Sequence, residues 1–369
     1  MKIMIDGTSL ARQITGIENY TKNLIVNLIE LNKNTSNELT VLFRREIPDY
    51  LKQKTGYKPL VCPFESQLLC EQIWIPYVKS KYKPDIIHFP AFPPGLLVKN
   101  NVIFTIHDAT MWKYKETISL KNKLYMKPLS TKGIKVSSKL ITISESSKEN
   151  LLDVFPGIEN KLFNCGNSIS DDYRVITDSS ILKSVKEKYK LPNRFFLTVG
   201  SLEPRKNLLF LINTYLKFKK EHASDFKLVI TGRSAWGSEE IKKIISDNKA
   251  EEDIILTGYV SDNDLIILYN IATYFVFPSI YEGFGLPVLE AMASGTPVIS
   301  SNSSSLPEVA GDAAIYFDPT NENELKEIFI KISNNEEIHE EYRKKGLERR
   351  KLFSWMKVAE NIYSIYLKM

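Results

Sequence analysis

The feature that most restricts the fold of this chain is an alternation: apolar runs of three to five residues, then longer stretches in which apolar residues recur every three or four positions. A short, continuously apolar run suits a strand buried on both faces. Such strands belong to parallel sheets, whose crossovers are helices. Strand candidates in the first half are Lys2–Ile5, Leu39–Phe43, Asp85–Phe89, Val102–Ile106 and Leu140–Ile143. In the second half they are Phe195–Val199, Lys227–Ile230, Ile254–Leu256, Tyr274–Phe277, Val298–Ser300 and Ala314–Phe317. Helical spacing fills the intervals. It is carried after Gly16 by Ile17, Tyr20, Leu24 and Leu28, and further on by Asn207–Lys219, Asp262–Ile271 and Leu286–Ala293. Ser146-Ser147-Lys148-Glu149 reads as a capping box opening a helix with Leu151, Leu152 and Phe155. The pattern predicts an α/β protein with parallel sheets.

A chain of 369 residues exceeds one typical domain. Gly166 to Asn193 carries polar turns around Asp171-Asp172 and a short lysine-rich helix, which sets a domain junction near 170–190. The predicted domains are 1–170 and 171–352. The last segment, 353–369, holds Phe353, Met356, Ala359, Ile362, Ile365 and Tyr366 at helical spacing, with no strand after it. Two hinged α/β domains are expected to face a cleft at the carboxyl ends of both sheets, so the residues just beyond each strand are the ones to inspect.

Composition narrows the class. A net charge of +5 suits anionic small ligands or an anionic membrane surface and is too weak to argue for nucleic acid. Cys62, Cys70 and Cys165 are scattered, which reads as reduced thiols in a cytoplasm rather than a zinc site. Met1 to Asp6 is too short an apolar stretch for a secretory signal, and no run reaches the roughly 18 apolar residues of a membrane span. Any membrane contact is therefore expected to be peripheral.

The most informative stretch runs from Phe277 to Met292: a strand end, then Glu282-Gly283-Phe284-Gly285, then Leu286-Pro287 opening a helix that carries Glu290. Glycines allow close backbone approach to a ligand, and the helix start offers free N–H groups to a phosphate. Glu282 and Glu290, eight residues apart, suit vicinal sugar hydroxyls; a plain strand–turn–helix connection with two solvated acids is the competing reading. Arg205 and Lys206 follow a strand and precede a helix, where two cations can hold a diphosphate and stabilise its growing charge. A solvated basic turn would look similar. His107, beside Asp108, ends the strand Val102–Ile106, and Gly16 precedes a helix. Lys113 to Lys139 holds eight lysines and one acid, Glu116, with Tyr114, Leu120, Leu124, Tyr125 and Met126 between them. That stretch fits either anionic headgroups or a solvated helix face.

These residues also carry a resemblance. Glu282 to Glu290 resembles the E-x7-E signature of the retaining glycosyltransferases of family 4, which adopt the GT-B fold. Gly200-Ser201-Leu202-Glu203-Pro204-Arg205-Lys206-Asn207 is similar to that family's Pro-Arg-Lys-Asn turn. Gly16-Ile17-Glu18-Asn19-Tyr20 resembles its first glycine loop, Ile106-His107-Asp108 its His-Asp strand end, and Thr257-Gly258-Tyr259-Val260 a loop near the nucleobase. Phe353-Ser354-Trp355 resembles the start of the helix that crosses back to complete the N-terminal domain.

The resemblance implies two Rossmann-like domains and a nucleoside-diphosphate-sugar donor, with no metal and no cofactor. It implies catalytic roles for His107, Arg205, Lys206 and Glu282, and donor contacts from Gly16, Ser201, Val260, Gly283, Phe284, Gly285, Leu286 and Glu290. Glu290 would hold the ribose hydroxyls, while Glu282 and His107 would meet the transferred sugar. Retention of configuration would follow from front-face departure and attack, with the leaving phosphate helping to deprotonate the acceptor. No convincing Asp-x-Asp metal motif is present; Arg205 and Lys206 would replace a cation's charge. Among relatives the pattern looks like bacterial mannosyltransferases of polysaccharide assembly. The expected donor is therefore GDP-mannose, with UDP- or dTDP-sugars behind it, and the expected acceptor a glycan or lipid-linked oligosaccharide. A nucleotide-sugar epimerase and a non-catalytic glycan-binding subunit are the alternatives; the E-x7-E spacing and the Pro-Arg-Lys-Asn turn favour transfer.

Overall fold

Two parallel sheets carry the chain, one of seven strands and one of six. The computed structural model describes residues 1–11, 16–114, 122–201, 203–232 and 238–369. These fall into two units: Met1–Ser168 with Ser354–Met369, and Ile169–Phe353. No helix among the described residues is long and apolar enough to cross a membrane.

In the first unit the strands are β1 (Lys2–Asp6), β2 (Glu38–Arg44), β3 (Lys58–Cys62), β4 (Ile86–Phe89), β5 (Val102–Thr105), β6 (Lys139–Thr142) and β7 (Leu162–Asn164), in the order β3-β2-β1-β4-β5-β6-β7. In the second they are β8 (Phe195–Val199), β9 (Lys227–Thr231), β10 (Ile254–Gly258), β11 (Tyr274–Phe277), β12 (Val298–Ser301) and β13 (Ala314–Phe317), in the order β10-β9-β8-β11-β12-β13. The strand order therefore reverses between β1 and β4 in one unit and between β8 and β11 in the other. At such a reversal the connections leave in opposite directions and open a crevice at the carboxyl ends of the two strands.

The strands at the sheet centres are buried along their length, as their unbroken apolar runs require. Phe196 of β8 stacks between Phe226 and Phe329, with ring centroids 4.6 and 4.3 Å away. Two strands escaped the sequence reading, and both lie at sheet edges. β3 contains Pro59 and is largely exposed, and β7 has three residues. An edge strand tolerates proline and needs no continuous apolar run, so the periodicity signal is weak there. The capping box expected at Ser146 is also displaced. The N-cap is Ser144, whose side chain accepts from the Ser147 N–H, and the helix begins at Glu145.

The C-terminal helix, Trp355–Leu367, belongs to the first unit and is capped by Ser354. Its face of Ala359, Ile362 and Tyr366 is buried there. The Tyr366 hydroxyl meets His88 Nδ1 on β4 at 2.5 Å, while His88 Nε2 meets Thr105 Oγ1 on β5 at 2.8 Å. Burial pushes the His88 imidazole down to about 3, so it sits in the interior uncharged. Tyr366→Phe would leave His88 Nδ1 without its partner, which costs roughly 1–3 kcal/mol. Three of the four tryptophans, Trp74, Trp112 and Trp355, lie in this unit. Guanidinium unfolding followed by tryptophan fluorescence should therefore show an earlier transition in the variant; superimposable curves would remove the network from the stability of the unit.

Candidate active site

The reversal between β8 and β11 brings together residues more than seventy positions apart. After β8 the chain makes a short turn, Pro204–Lys206, that presents Arg205 and Lys206. After β11 it runs through Ser279 and Tyr281 to Glu282. The Ile280 N–H donates to the Arg205 carbonyl at 2.9 Å, which locks the two connections together.

Glu282 sits between the two cations. Its Oε1 accepts from Lys206 Nζ at 2.6 Å and its Oε2 from Arg205 Nη1 at 2.9 Å. Glu282 and Lys206 are each 8% exposed, so these are largely desolvated charges. Burial by itself would raise the Glu282 carboxyl; Lys206 and Arg205 overcome it and hold the group below its ordinary 4.5. Arg205 Nε also donates to Glu203 at 3.0 Å, and Ser201 Oγ donates to the other Glu203 oxygen at 2.7 Å. The Lys206 ammonium lies 4.9 Å over the Phe277 ring. The two cations read from sequence as ready for a diphosphate are thus neutralised in part by the acid read as a sugar ligand.

The Glu282 backbone is fixed from β12. Its N–H donates to Ser304 Oγ at 2.9 Å, and Ser305 Oγ reaches the carbonyls of Glu282 and Phe284. Gly283 and Phe284 continue the turn, and Gly285 caps the helix Leu286–Ala293 with φ of +105°. A side chain at Gly285 would be strained there and would lie 2.6 Å from Leu306. Gly232, past β9, meets a different demand: a Cβ on it would come within 1.8 Å of the Gly200 carbonyl oxygen. Backbone alone can therefore form that part of the floor beside the β8 turn.

Glu290 lies in the fifth position of the same helix. Tyr269 donates its hydroxyl to Glu290 Oε2 at 2.9 Å, and the Tyr173 hydroxyl nearby also favours the ionised carboxyl. Burial outweighs both and pushes the carboxyl up to about 7. The two glutamates of one motif are therefore held in different states, Glu282 ionised by its cations and Glu290 poised near neutrality.

Val260, buried, lies just beyond β10 and precedes Ser261, the cap of the helix Asp262–Ile271. That helix contains the chain's one Asp-x-Asp spacing, Asp262 and Asp264. Asp264 is occupied by Lys188 at 2.6 Å and Tyr189 at 2.7 Å. In the first unit, His107 lies two residues past β5. Its Nε2 is 2.9 Å from the Pro90 carbonyl, and Tyr20 packs edge-on at 4.7 Å. Burial lowers the imidazole's proton affinity. A carbonyl only accepts, so the proton resides on Nε2 and leaves Nδ1 an acceptor, with no hydrogen-bond partner among the described residues. Gly16 opens the helix Gly16–Asn32, and a Cβ on it would meet nothing within 4 Å.

Ser201, Arg205, Lys206, Glu282, Gly283, Phe284, Gly285, Leu286 and Glu290 all lie on the two strand-end connections of the second unit or on the helix that follows. His107 and Gly16 belong to the other unit. Sequence reasoning passed over Glu203, Tyr173, Tyr269 and Gly232, and also Ser304 and Ser305, although a run of serines just after β12 was a readable sign. Leu202, and Lys115, Glu116, Leu120 and Lys121 of the lysine-rich stretch, lie outside the described residues.

A family model described as glycosyl transferases group 1 matches residues 182–349. O-antigen chain mannosyltransferase B of Escherichia coli is 31% identical over 288 residues, covering 77% of this chain and 74% of that protein. The serotype-specific mannosyltransferase WbdA of Escherichia coli is 33% identical over 223 residues. The match takes 60% of this chain but 27% of that longer protein. Among solved structures, Anabaena HepE in complex with UDP and glucose superimposes with a TM-score of 0.71 at 15% identity, over all of both chains. The fold is GT-B.

Glu282→Gln keeps the shape of the side chain and removes the charge shared by buried Lys206 and half-buried Arg205. Breaking a buried pair on one side typically costs 3–5 kcal/mol; about 3 is expected, because Arg205 keeps Glu203. The wild-type carboxyl is held low, so its contribution is complete above the unfolded value of 4.5 and fades as pH falls through the lower folded value. The difference in stability between variant and wild type should be constant from neutral pH to about 5.5, then narrow on further acidification. Equal stabilities at pH 7 would show that the cluster contributes nothing.

Proposed function

The chain belongs to the group 1 glycosyl transferases, and from that premise we propose that it moves a hexose from a nucleoside diphosphate to a hydroxyl of a growing glycan or lipid-linked oligosaccharide in cell-surface polysaccharide synthesis. Mannose from GDP-mannose is the leading donor. The mannosyltransferase activity named for its Escherichia coli relatives supports mannose as the sugar. The observation that carries the reading is the Arg205–Glu282–Lys206 cluster at the strand-order reversal, beside a glycine-capped helix start.

The chemistry follows from charge. Breaking the bond between sugar and phosphate leaves negative charge on the diphosphate and positive charge on the sugar ring. Arg205, Lys206 and the N–H groups at the start of Leu286–Ala293 meet the first; such preorganised donors are worth several kcal/mol where charge develops. Glu282, already ionised, opposes the second. The cations take the place of a metal in this scheme, so the reaction proceeds without one. Glu290 accepts from the ribose hydroxyls and Val260 lies beside the base. His107 accepts a sugar hydroxyl at Nδ1. Retention follows if the acceptor attacks from the side the phosphate leaves, with phosphate oxygen taking its proton.

A donor screen by nucleotide release, followed by proton NMR of the product's anomeric centre, tests sugar and stereochemistry together; activity should survive excess EDTA. An inverted product, or activity lost to EDTA and restored by magnesium or manganese, would overturn the corresponding part of the scheme.

The two glutamates should separate kinetically. Glu290→Gln is expected to weaken nucleotide-sugar binding about ten- to a hundred-fold, the equivalent of roughly 1.5–3 kcal/mol, because the ribose lies away from the breaking bond. Glu282→Gln should lower turnover much more than binding. Wild-type affinity should also fall as pH drops below about 7, where Glu290 takes up a proton. The donor's diphosphate, esterified at both ends, does not titrate in that range. Calorimetry across pH 6 to 8 checks this, and Glu290→Gln should flatten the profile. A wild-type profile already flat would remove Glu290 from the binding step.

A further inference from the structure

A cavity of about 990 Å³ lies in the second unit, away from the residues described above. Arg194, Phe226, Thr273 and Tyr274, where the chain enters β8, β9 and β11, form one wall. The turn between the helices Glu322–Ser333 and Glu336–Arg350 forms the other. The connections that carry Arg205 and Glu282 leave β8 and β11 at their opposite, carboxyl ends. The five residues of β8, roughly 16 Å, separate the two places.

The base of the cavity is aromatic and apolar. Phe226, Tyr274 and Ile332 are buried there, and the His339 ring meets Tyr274 edge-on at 5.3 Å. Arg194 is fixed in the wall. Its Nη1 donates to Asp225 at 2.9 Å and its Nη2 to the Ser333 carbonyl, and the guanidinium lies 4.3 Å over the Phe226 ring. One group is left over. Tyr274 is 1% exposed, yet its hydroxyl has no hydrogen-bond partner among the described residues. A buried tyrosine ordinarily finds one, because an unpaired interior hydroxyl is costly. Phenylalanine would fill the same space without that cost. A ligand seated in the cavity gives the hydroxyl its partner.

The lining selects the class of ligand. Arg194 is the one cation among the lining residues and is already paired with Asp225, while Glu336 and Glu340 bring negative charge to the mouth. Phosphate is therefore disfavoured. Arg194 opposes an organic cation, and no cluster among the described residues could hold a metal ion. Burial keeps His339 uncharged at neutral pH. A neutral molecule with many hydroxyls meets every part of this lining. It donates to carboxylates, exchanges hydrogen bonds with the tyrosine hydroxyl and the Asn334 carboxamide, and lays its C–H faces on the aromatic base. The volume stands at the upper end of small-molecule sites, roughly 300–1,000 Å³, which suits several sugar rings better than one.

We propose that this cavity is an oligosaccharide-binding site, separate from the transfer chemistry, with the Tyr274 hydroxyl at its base and Asn334 at its mouth. Binding there does not depend on the glycosyl-transfer reading.

The test is a titration of the whole chain with mannotriose, maltotriose and triacetylchitotriose, followed by saturation-transfer NMR with no donor added. At least one should bind wild type and raise its melting temperature. Tyr274→Phe should weaken that binding roughly three- to tenfold, as expected for one neutral hydrogen bond. Asn334→Trp, which sets a large ring at the mouth, should abolish it. Without sugar, Tyr274→Phe should melt at or above the wild-type temperature, since the change removes an unpaired buried hydroxyl. Asn334 is exposed, so its variant should melt with wild type. A lower melting temperature for Tyr274→Phe would mean that the protein already satisfies the hydroxyl, and it would overturn the proposal. So would failure of wild type to bind any of the three sugars, and so would binding that either variant leaves unchanged, which puts the sugar elsewhere.

Discussion

The site depends on one acid placed between two cations in a desolvated position. Glu282, Arg205 and Lys206 come from two connections that are remote in sequence, and neither of the buried pair, Glu282 and Lys206, is tolerable there alone. A buried, unpaired ammonium or carboxylate would shed its charge or admit water. The pairing in turn demands that β8 and β11 be neighbours, which only a reversal in strand order provides. It also demands that the two connections be held in register, which the Ile280–Arg205 hydrogen bond and the two serines after β12 supply. Fold and site are therefore one constraint. A sheet of the same strands in another order would leave three charges scattered over the strand ends.

The same logic explains how much was legible beforehand. The central strands were readable because burial on both faces forces an unbroken apolar run. The edges β3 and β7 were not, because an edge strand answers to pairing on one side only. The residues of the site were readable as types, since glycines, paired acids and adjacent cations stand out at strand ends. Their partnership was not. Nothing in the spacing of Arg205 and Glu282 says that the cation meant for a ligand is already satisfied by the neighbouring acid. Tyr173 and Tyr269 were invisible for a related reason. A tyrosine in an apolar helical pattern looks like core, and only its hydroxyl's position 2.9 Å from Glu290 distinguishes Tyr269 from its neighbours. Ser144 took the cap expected at Ser146 because both fit the local pattern, and the end of β6 decides between them.

The two units also use buried polar groups differently. In the first, His88, Thr105 and Tyr366 form a closed neutral set, and the C-terminal helix is held to the sheet through it. Every ring nitrogen of His88 has a partner, so the set has no capacity left for a ligand. His107 is similar in residue type but open in chemistry. One nitrogen is committed to Pro90, and the other remains an acceptor. The difference lies in position: His88 is inside β4, whereas His107 is beyond the end of β5, where backbone gives way to the crevice side of the sheet.

On the proposed reading, the charge of the cluster itself sets how a donor is received. With Glu203, which also pairs with Arg205, two cations and two carboxylates leave the cluster formally neutral. The start of the helix Leu286–Ala293 adds the equivalent of roughly half a charge. A diphosphate linked at both ends carries about two negative charges, so while the acids hold the cations the site is under-compensated in the ground state. Bond breaking increases the charge on the diphosphate and places positive charge on the sugar, beside Glu282. Glu282 can then turn part of its interaction from the cations to the sugar, which frees Arg205 and Lys206 to meet the larger phosphate charge. A site without the acid would still hold the intact donor, yet have no interaction that strengthens as the bond breaks. An interaction that is equal in ground and transition states raises affinity and leaves the barrier unchanged. On the proposed reading, the buried Glu282 is thus what would turn a diphosphate-binding turn into a catalytic one.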